Sequence, residues 1–326
     1  MLTDAHHHTV TYLRISVTDR CNERCLYCMP DEQQQWLPRS DILSYEEILR
    51  VVRVGVGLGI TKYRVTGGEP LVRRDILRFI SRLCATPGVA DVGMTTNGTL
   101  LKNMARDLRD AGLENINISL DSLRPEGYAA ISGRPLLAEV LQGIEAAREA
   151  GFRKIKLNMV LIRGKNDDEI MPMVEFARAR GLALRFIEMM PVSSREVLTE
   201  ENFISVGEVM QRISRHFALV PKGDYTGNGP AVYYTDPAQS VTLGFIGAMT
   251  NLHFCDSCNK MRLTCEGKLR PCLGAHDEYD LRALLRNSTD DALLKNEFLA
   301  VVARKPAQHA FRDNYQPGRK MIAIGG

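Results

Sequence analysis

Four times the chain closes a helix-like stretch on glycine and runs straight into a strand-like one: "LGITKYRVTG", "AGLENINIS", "AGFRKIKLN" and "RGLALRFIE". Glycine relieves the left-handed backbone strain at a helix C-terminus, so each phrase marks a helix-to-strand joint. Together with "TYLRISVT" and "VGMTTN", these runs give six strand-helix units between residues 11 and 190, at a spacing of roughly 30 residues. The segment "SYEEILRVVRVGVGLG" opens with a capping box, Ser44 and Glu47, and carries Ile48, Val51, Val52 and Leu58 on one face. Parallel strands joined by crossover helices follow, as a barrel or as a doubly wound sheet.

Side chains alternate along a strand, and here one face is polar in five successive strands. That face carries Arg14, Ser16 and Thr18; Lys62, Arg64 and Thr66; Thr95 and Asn97; Asn117 and Ser119; and Lys154, Lys156 and Asn158. The opposite faces read Leu13, Ile15, Val17 or Ile116, Ile118, Leu120. An ordinary eight-stranded barrel fills its interior with bulky apolar groups. Solvent-facing polarity explains one such strand but fits poorly with five parallel strands flanked by helices. An open barrel with a cationic lumen, suited to a polyanionic small substrate, is expected instead.

After "MMPVSS" the repeat stops. A helical segment at 200–220 leads into the glycine-rich "KGDYTGNGPAVYY" and β-like runs in "AVYYTD" and "SVTLGFIG". The expected division is a barrel over 1–214 and a smaller unit over 215–326. Forty-two basic residues against 39 acidic ones leave a net charge of +3, too balanced for a general nucleic-acid binder or a polybasic membrane anchor. The first residues lack a basic segment followed by an apolar one, and charges interrupt every apolar run, so a cytoplasmic protein is expected.

Seven of the eight cysteines fall into two clusters, which favours metal or redox chemistry over a disulfide framework. "CNERCLYC" spaces Cys21, Cys25 and Cys28 as CX3CX2C just past the first strand. Three thiolates can hold three irons of a 4Fe-4S cube and leave the fourth open for a ligand; a zinc site is the alternative for the bare pattern. "VTGGEP" (65–70) ends the second strand, where glycines let backbone approach a ligand, although an ordinary turn reads the same way. "FCDSCNKMRLTCEGKLRPCLG" holds Cys255, Cys258, Cys265 and Cys272, and its chemistry alone also suits a structural zinc. "GVGLG" at 55–59 ends a helix before a strand, the wrong order for a dinucleotide loop. His6, His7 and His8 read as an exposed terminal tract, and Cys84 as a small buried hydrophobe.

The stretch "LRISVTDRCNERCLYCMP", followed by "VTGGEP", resembles the radical S-adenosylmethionine superfamily. The second cysteine cluster, with "TTNGTLL", "ISLDSL", "IKLNMV", "RFIEMMP" and the terminal "GG", further resembles the GTP 3′,8-cyclases that begin molybdenum cofactor biosynthesis. The resemblance covers nearly the whole chain. It implies an α/β fold, an incomplete (βα)6 TIM-like barrel with a C-terminal α+β extension carrying a second iron-sulfur cluster. It implies a lyase whose first cluster, on Cys21, Cys25 and Cys28, binds S-adenosylmethionine and generates a 5′-deoxyadenosyl radical. That radical takes hydrogen from ribose C3′ of GTP, and the sugar radical closes on guanine C8.

The same resemblance assigns the cofactor to Tyr27, Gly67, Gly68, Glu69, Asn97, Ser119 and Met190. GTP falls to Arg14, Lys62, Arg64, Thr95, Lys156, Arg185, Lys260, Met261 and Arg262. The second 4Fe-4S cluster falls to Cys255, Cys258 and Cys272, with Cys265 a bystander. Arg14, Arg262, Gly325 and Gly326 are the residues expected to assist the chemistry. Where the family commonly has C-N-R-x-R, this chain has Cys258-Asn259-Lys260-Met261-Arg262, which keeps the charge but loses arginine's planar fork. Expected partners are GTP, an unidentified electron donor, a second copy in a homodimer and the downstream cofactor enzymes that receive the product, with no nucleic acid and no membrane. A related radical enzyme acting on a peptide and a zinc-stabilised nucleic-acid module are the rival readings; the cationic lumen opposes the first, the balanced charge the second.

Overall fold

The computed structural model describes residues 2–29, 35–192, 198–223, 229–313, 315–316, 318–319 and 321–325. Six strands, β1 (Tyr12–Ser16), β2 (Lys62–Thr66), β3 (Asp91–Thr96), β4 (Asn115–Ser119), β5 (Lys154–Leu161) and β6 (Ala183–Glu188), pair in parallel in chain order. Between them run α1 (Tyr45–Gly57), α2 (Ile76–Cys84), α3 (Leu101–Asp110), α4 (Pro125–Ser132), α5 (Leu137–Glu149) and α6 (Ile170–Ala179). The α1 capping box is present on both sides: Glu47 N–H donates to Ser44 Oγ, and Ser44 N–H donates to the Glu47 carboxylate. At the four helix-to-strand joints Gly59, Gly112, Gly151 and Gly181 all have φ between 65° and 98°.

The remaining elements are α7 (Val206–Ser214), β7 (Val220–Pro221), β8 (Val232–Thr235), β9 (Thr242–Ile246), β10 (Lys260–Leu263), β11 (Lys268–Arg270), β12 (Tyr279–Asp280), α8 (Arg282–Asn287), α9 (Asp291–Ala303) and α10 (Met321–Ile324). They flank both edges of the same sheet, which runs β12-β11-β10-β1-β2-β3-β4-β5-β6-β9-β8-β7 among the described residues. β9 pairs in parallel with β6, and β10 in parallel with β1, while the outer strands turn antiparallel. The segment after residue 215 thus continues the barrel wall on both sides of the opening.

The apolar face of each barrel strand packs outward on the helices. Leu13, Ile15, Ile116, Ile118, Leu157 and Leu184 join Ile48, Val52, Leu108 and Ile144 in one buried core. Burying a side chain of this size contributes about 1.5–3 kcal/mol, and a one-residue slip of a strand would turn its arginine or lysine into that layer. The inward polar set is therefore held in place by the outward apolar set. Cys84 differs from its expectation: at the end of α2 it is half-buried and packs on the core's edge.

Candidate active site

Register brings the cationic residues together. Arg14 lies opposite Arg64 on β2 and opposite Arg262 on β10, so three adjacent strands carry arginine in one row. Farther round, Thr95 is level with Asn117 and Asn117 with Lys156, while Asn158 is level with Arg185. These side chains line a cavity of about 290 Å³, with Lys260, Met261, Tyr27, Ser119 and Met190 also on its wall. Room for two of the arginines comes from neighbouring glycines. A Cβ on Gly93 would lie 2.5 Å from the Arg64 guanidinium carbon, and one on Gly244 would lie 2.9 Å from Arg185 Cγ.

The hydrogen-bond acceptors of these guanidinium groups are neutral. Arg64 donates to Tyr12 Oη at 3.0 Å and to the Met94 carbonyl at 3.1 Å, and Arg185 donates to Asn158 Oδ1 at 2.8 Å. Arg262 donates to the Gly325 carbonyl at 2.5 Å. Arg14 Nε is buried with no hydrogen-bond partner among the described residues. Among the described residues two carboxylates, Asp121 and Glu188, reach the cavity, and the oxygens of both already accept hydrogen bonds from groups other than the cations. Asp121 accepts from Tyr27 Oη at 2.6 Å and Val160 N–H at 2.8 Å, and Glu188 from the backbones of Val206, Met249 and Thr250.

The wall therefore holds a strong positive potential. Burial, then Arg262, pushes Arg14 down to about 9, and burial, then Arg185, pushes Lys156 down to about 7. Arg262 is pushed down to about 10 by burial and then Arg270. Tyr12 feels the opposite pull: burial opposes its ionisation, yet Arg64 and Arg14 hold its hydroxyl below the ordinary value. A site with this imbalance favours a polyanion.

The first cysteine loop leaves the C-terminal end of β1. A turn in which Cys28 N–H and Met29 N–H both donate to the Cys25 carbonyl, at 2.9 and 2.8 Å, carries Cys25 and Cys28. Cys21 Sγ accepts from Glu23 N–H at 3.4 Å and from Asn97 Nδ2 at 3.9 Å. Asn97 is thus spent on the loop, donating also to Asn22 Oδ1 at 2.9 Å. Burial pushes the Cys28 thiol up to about 12, and raises those of Cys21 and Cys25 well above the ordinary thiol value. Such thiols ionise when a metal's positive charge arrives, and an all-thiolate triad is a donor set that fits an iron-sulfur cube.

The "GGEP" turn serves the same loop. A Cβ on Gly68 would stand 2.3 Å from the Arg20 carbonyl oxygen, and one on Gly67 2.8 Å from that of Thr18. The close approach these glycines permit is to the chain leading into Cys21. Glu69, buried, accepts from Leu71 N–H, Thr96 Oγ1 and Asn97 N–H at 3.0, 2.7 and 2.7 Å, tying the ends of β2 and β3 together. Burial, opposed by those bonds, raises it to about 7.

Cys255, Cys258 and Cys272 stand on the cavity wall, as Cys21, Cys25 and Cys28 do not, and lie close enough to influence one another's ionisation. Burial opposes ionisation of Cys258, but Lys305 and Lys260 hold it below the usual thiol range, which suits a thiolate ligand. Cys265 is elsewhere: fully buried past the end of β10, it is raised to about 12 by burial and then by Asp19. The three-cysteine donor set again fits a cube.

Lys62 is not on the cavity wall; it lies at the N-terminal end of β2, level with Asp91. Gly325 reaches the C-terminal ends of β1 and β2, and Gly326 lies outside the described residues. Tyr12 and Asn158 share the parity of the expected residues and were legible from it. Tyr233, whose hydroxyl accepts from Lys156 Nζ at 3.1 Å, and Lys305 carry no such signal.

Residues 15–177 match the Radical SAM superfamily and residues 182–311 match Molybdenum Cofactor Synthesis C. A protein of Syntrophomonas wolfei named GTP 3′,8-cyclase is 43% identical over the whole of both chains. One of the same name from Marinobacter nauticus is 46% identical, over all of this chain and 98% of that protein. Among solved structures, Streptococcus suis SuiB superposes with a TM-score of 0.64 at 15% identity, over 94% of this chain and 69% of that one, a likeness of fold.

Proposed function

Because the chain belongs to the radical S-adenosylmethionine superfamily and, within it, to the GTP 3′,8-cyclases, we propose a division of the reaction among its own residues. The enzyme is a lyase that converts GTP to (8S)-3′,8-cyclo-7,8-dihydroguanosine 5′-triphosphate, the first step of molybdenum cofactor biosynthesis. Two 4Fe-4S clusters and S-adenosylmethionine serve it; when bound at the first cluster, S-adenosylmethionine supplies a 5′-deoxyadenosyl radical, which no side chain can provide. Cys21, Cys25 and Cys28 hold that cluster, and Cys255, Cys258 and Cys272 hold the second.

Arg14, Arg64, Lys156 and Arg185, from four barrel strands, take the triphosphate, with Thr95 beside them. Lys260, Met261 and Arg262 on β10 take the part of GTP nearer the second triad. Tyr27, Gly67, Gly68, Asn97, Ser119 and Met190 shape the cofactor side, and Glu69 keeps the β2 and β3 ends in register there. Lys62 acts at longer range from below the cavity. Held at both ends, the ribose presents C3′ to the radical, so most of the work is orientation and exclusion of water. Arg262 is bonded to Gly325 and neighbours Arg14 in register, which supports a role in the chemistry for the tail, Gly325 and Gly326.

Residues 1–214 form the radical-generating partial barrel, which also takes the triphosphate, and 215–326 the C-terminal unit that carries the second cluster and completes the GTP site. Among the described residues no helix is long and apolar enough to cross a membrane, and the working form is a cytoplasmic homodimer served by an electron-donor protein, its product passing to the next cofactor enzyme. The observation that carries this reading is the row Arg262-Arg14-Arg64, in which Arg64 and Arg262 meet neutral acceptors and Arg14 Nε meets none among the described residues, on strands that adjoin the two three-cysteine loops. Anaerobic reconstitution is expected to give about eight irons per chain, two cubes of four, and cyclised product from GTP. Stoichiometric zinc with about four irons, or no product from GTP, would sink it.

A further inference from the structure

One buried charge outside the barrel strands is tied to the second cysteine triad. Lys305 follows α9 and is only 3% exposed. Its ammonium donates to the Pro271 carbonyl at 2.8 Å, the Lys260 carbonyl at 3.2 Å and Cys258 Sγ at 3.5 Å. An ammonium has three protons, and these contacts place all of them. A buried charge is costly unless an opposite charge meets it. Two of its acceptors are neutral carbonyls, so the sulfur of Cys258 is the acceptor that can supply that charge. The same contacts bridge two arms of the triad: Lys260 follows Cys258 by two residues, and Pro271 directly precedes Cys272.

We propose that Lys305 is a positioning residue for the second cluster, fixing the Cys258 and Cys272 arms and raising that cluster's reduction potential through its charged hydrogen bond to sulfur. This rests on the ligand set Cys255, Cys258 and Cys272 proposed above. Iron-sulfur potentials follow net charge and hydrogen bonds to the sulfurs, and a positive neighbour stabilises the more negative, reduced cube. Arginine in this place would keep the charge while altering the three-point fit.

The test is anaerobic redox titration of the full-length, reconstituted enzyme, each cluster followed by electron paramagnetic resonance. Lys305→Met and Lys305→Gln should lower the potential of the second cluster and leave the first, recognised by its response to S-adenosylmethionine, unchanged. Lys305→Arg should bring the second back toward the unaltered value. Selective loss of the second cluster in Lys305→Met, leaving about four of about eight irons, also supports the assignment, because it shows the arms released. An unchanged second potential at full iron content overturns it, and so does aggregation or loss of both clusters in Met and Gln variants alike, which would mark a lysine needed only for folding. If the unaltered enzyme holds a single cluster, the ligand set has failed rather than Lys305.

Discussion

The Lys156 ammonium stands at the edge of its own ionisation: burial first, then Arg185, Arg64 and Lys154, push its pKa down from 10.5 to about 7. A triphosphate placed against it would reverse that push, because an opposite charge favours the charged form. Binding then takes up a proton, and affinity must fall as pH rises above the free-enzyme pKa. GTP affinity measured calorimetrically from pH 7.5 to 9 is expected to weaken by up to about tenfold per pH unit, and Lys156→Met should flatten that slope. An unaltered slope in the variant would place the phosphates elsewhere. Arg14→Ala removes a charge-assisted contact and should weaken binding about 10- to 100-fold with the iron content intact. Lys260 Nζ lies 5.9 Å from the centre of the Tyr12 ring and donates to Asn259 Oδ1 at 3.2 Å, so Lys260→Arg is expected to keep GTP binding at or above the original level.

Among the elements, the loop after β1 and the turn after β2 depend on each other at a single point of contact. A methyl group on Gly68 meets a backbone carbonyl, which cannot swing aside as the end of a side chain would. Gly68→Ala is therefore expected to cost about 1–3 kcal/mol or more and to displace the segment that carries Cys21. Iron analysis should show the first cluster lost and the second kept; full occupancy of both would mean the loops can part without harm. The sequence displayed the role of the strands more fully than that of this turn. Alternation fixed which side of β1, β2, β4 and β5 faces inward, because only one side of each is apolar, and Arg14, Arg64 and Lys156 fell into place with it. "GGEP" gave no hint that its glycines answer to Thr18 and Arg20, since that approach is made between segments about fifty residues apart in sequence. Lys305 was illegible for a similar reason: it follows α9 in irregular chain, where no period says which way a side chain points. Cys265 could be set apart only by resemblance; in the fold it lies near Ser16, Asp19 and Arg73, and Cys265→Ser should retain both clusters while Cys272→Ser loses the second.

Over the whole molecule, the sheet brings the chain's end back to its beginning. The strands after residue 215 extend both edges, and α10 then leads Gly325 to the mouth of the barrel, where its carbonyl accepts from Arg262. Gly325 has φ of 76°, and a Cβ there would lie 3.0 Å from both Ser16 Cβ and Thr66 Cγ2, so conformation and space each call for glycine. A tail held this way joins β10, which carries Arg262, to the tops of the strands that lead into the first cysteine loop and the "GGEP" turn. Almost no apolar area is lost with two terminal glycines, and neither supplies a cation to the triphosphate. Deleting Gly325 and Gly326 is thus expected to leave iron content, Tm and GTP affinity nearly unchanged while cutting cyclised product sharply, because the link between β10 and the ends of β1 and β2 is lost. Product formation, iron content and GTP binding measured on the same preparation separate the outcomes. Full product from the shortened chain would show the tail to be dispensable, and loss of iron or solubility would show that it belongs to the fold.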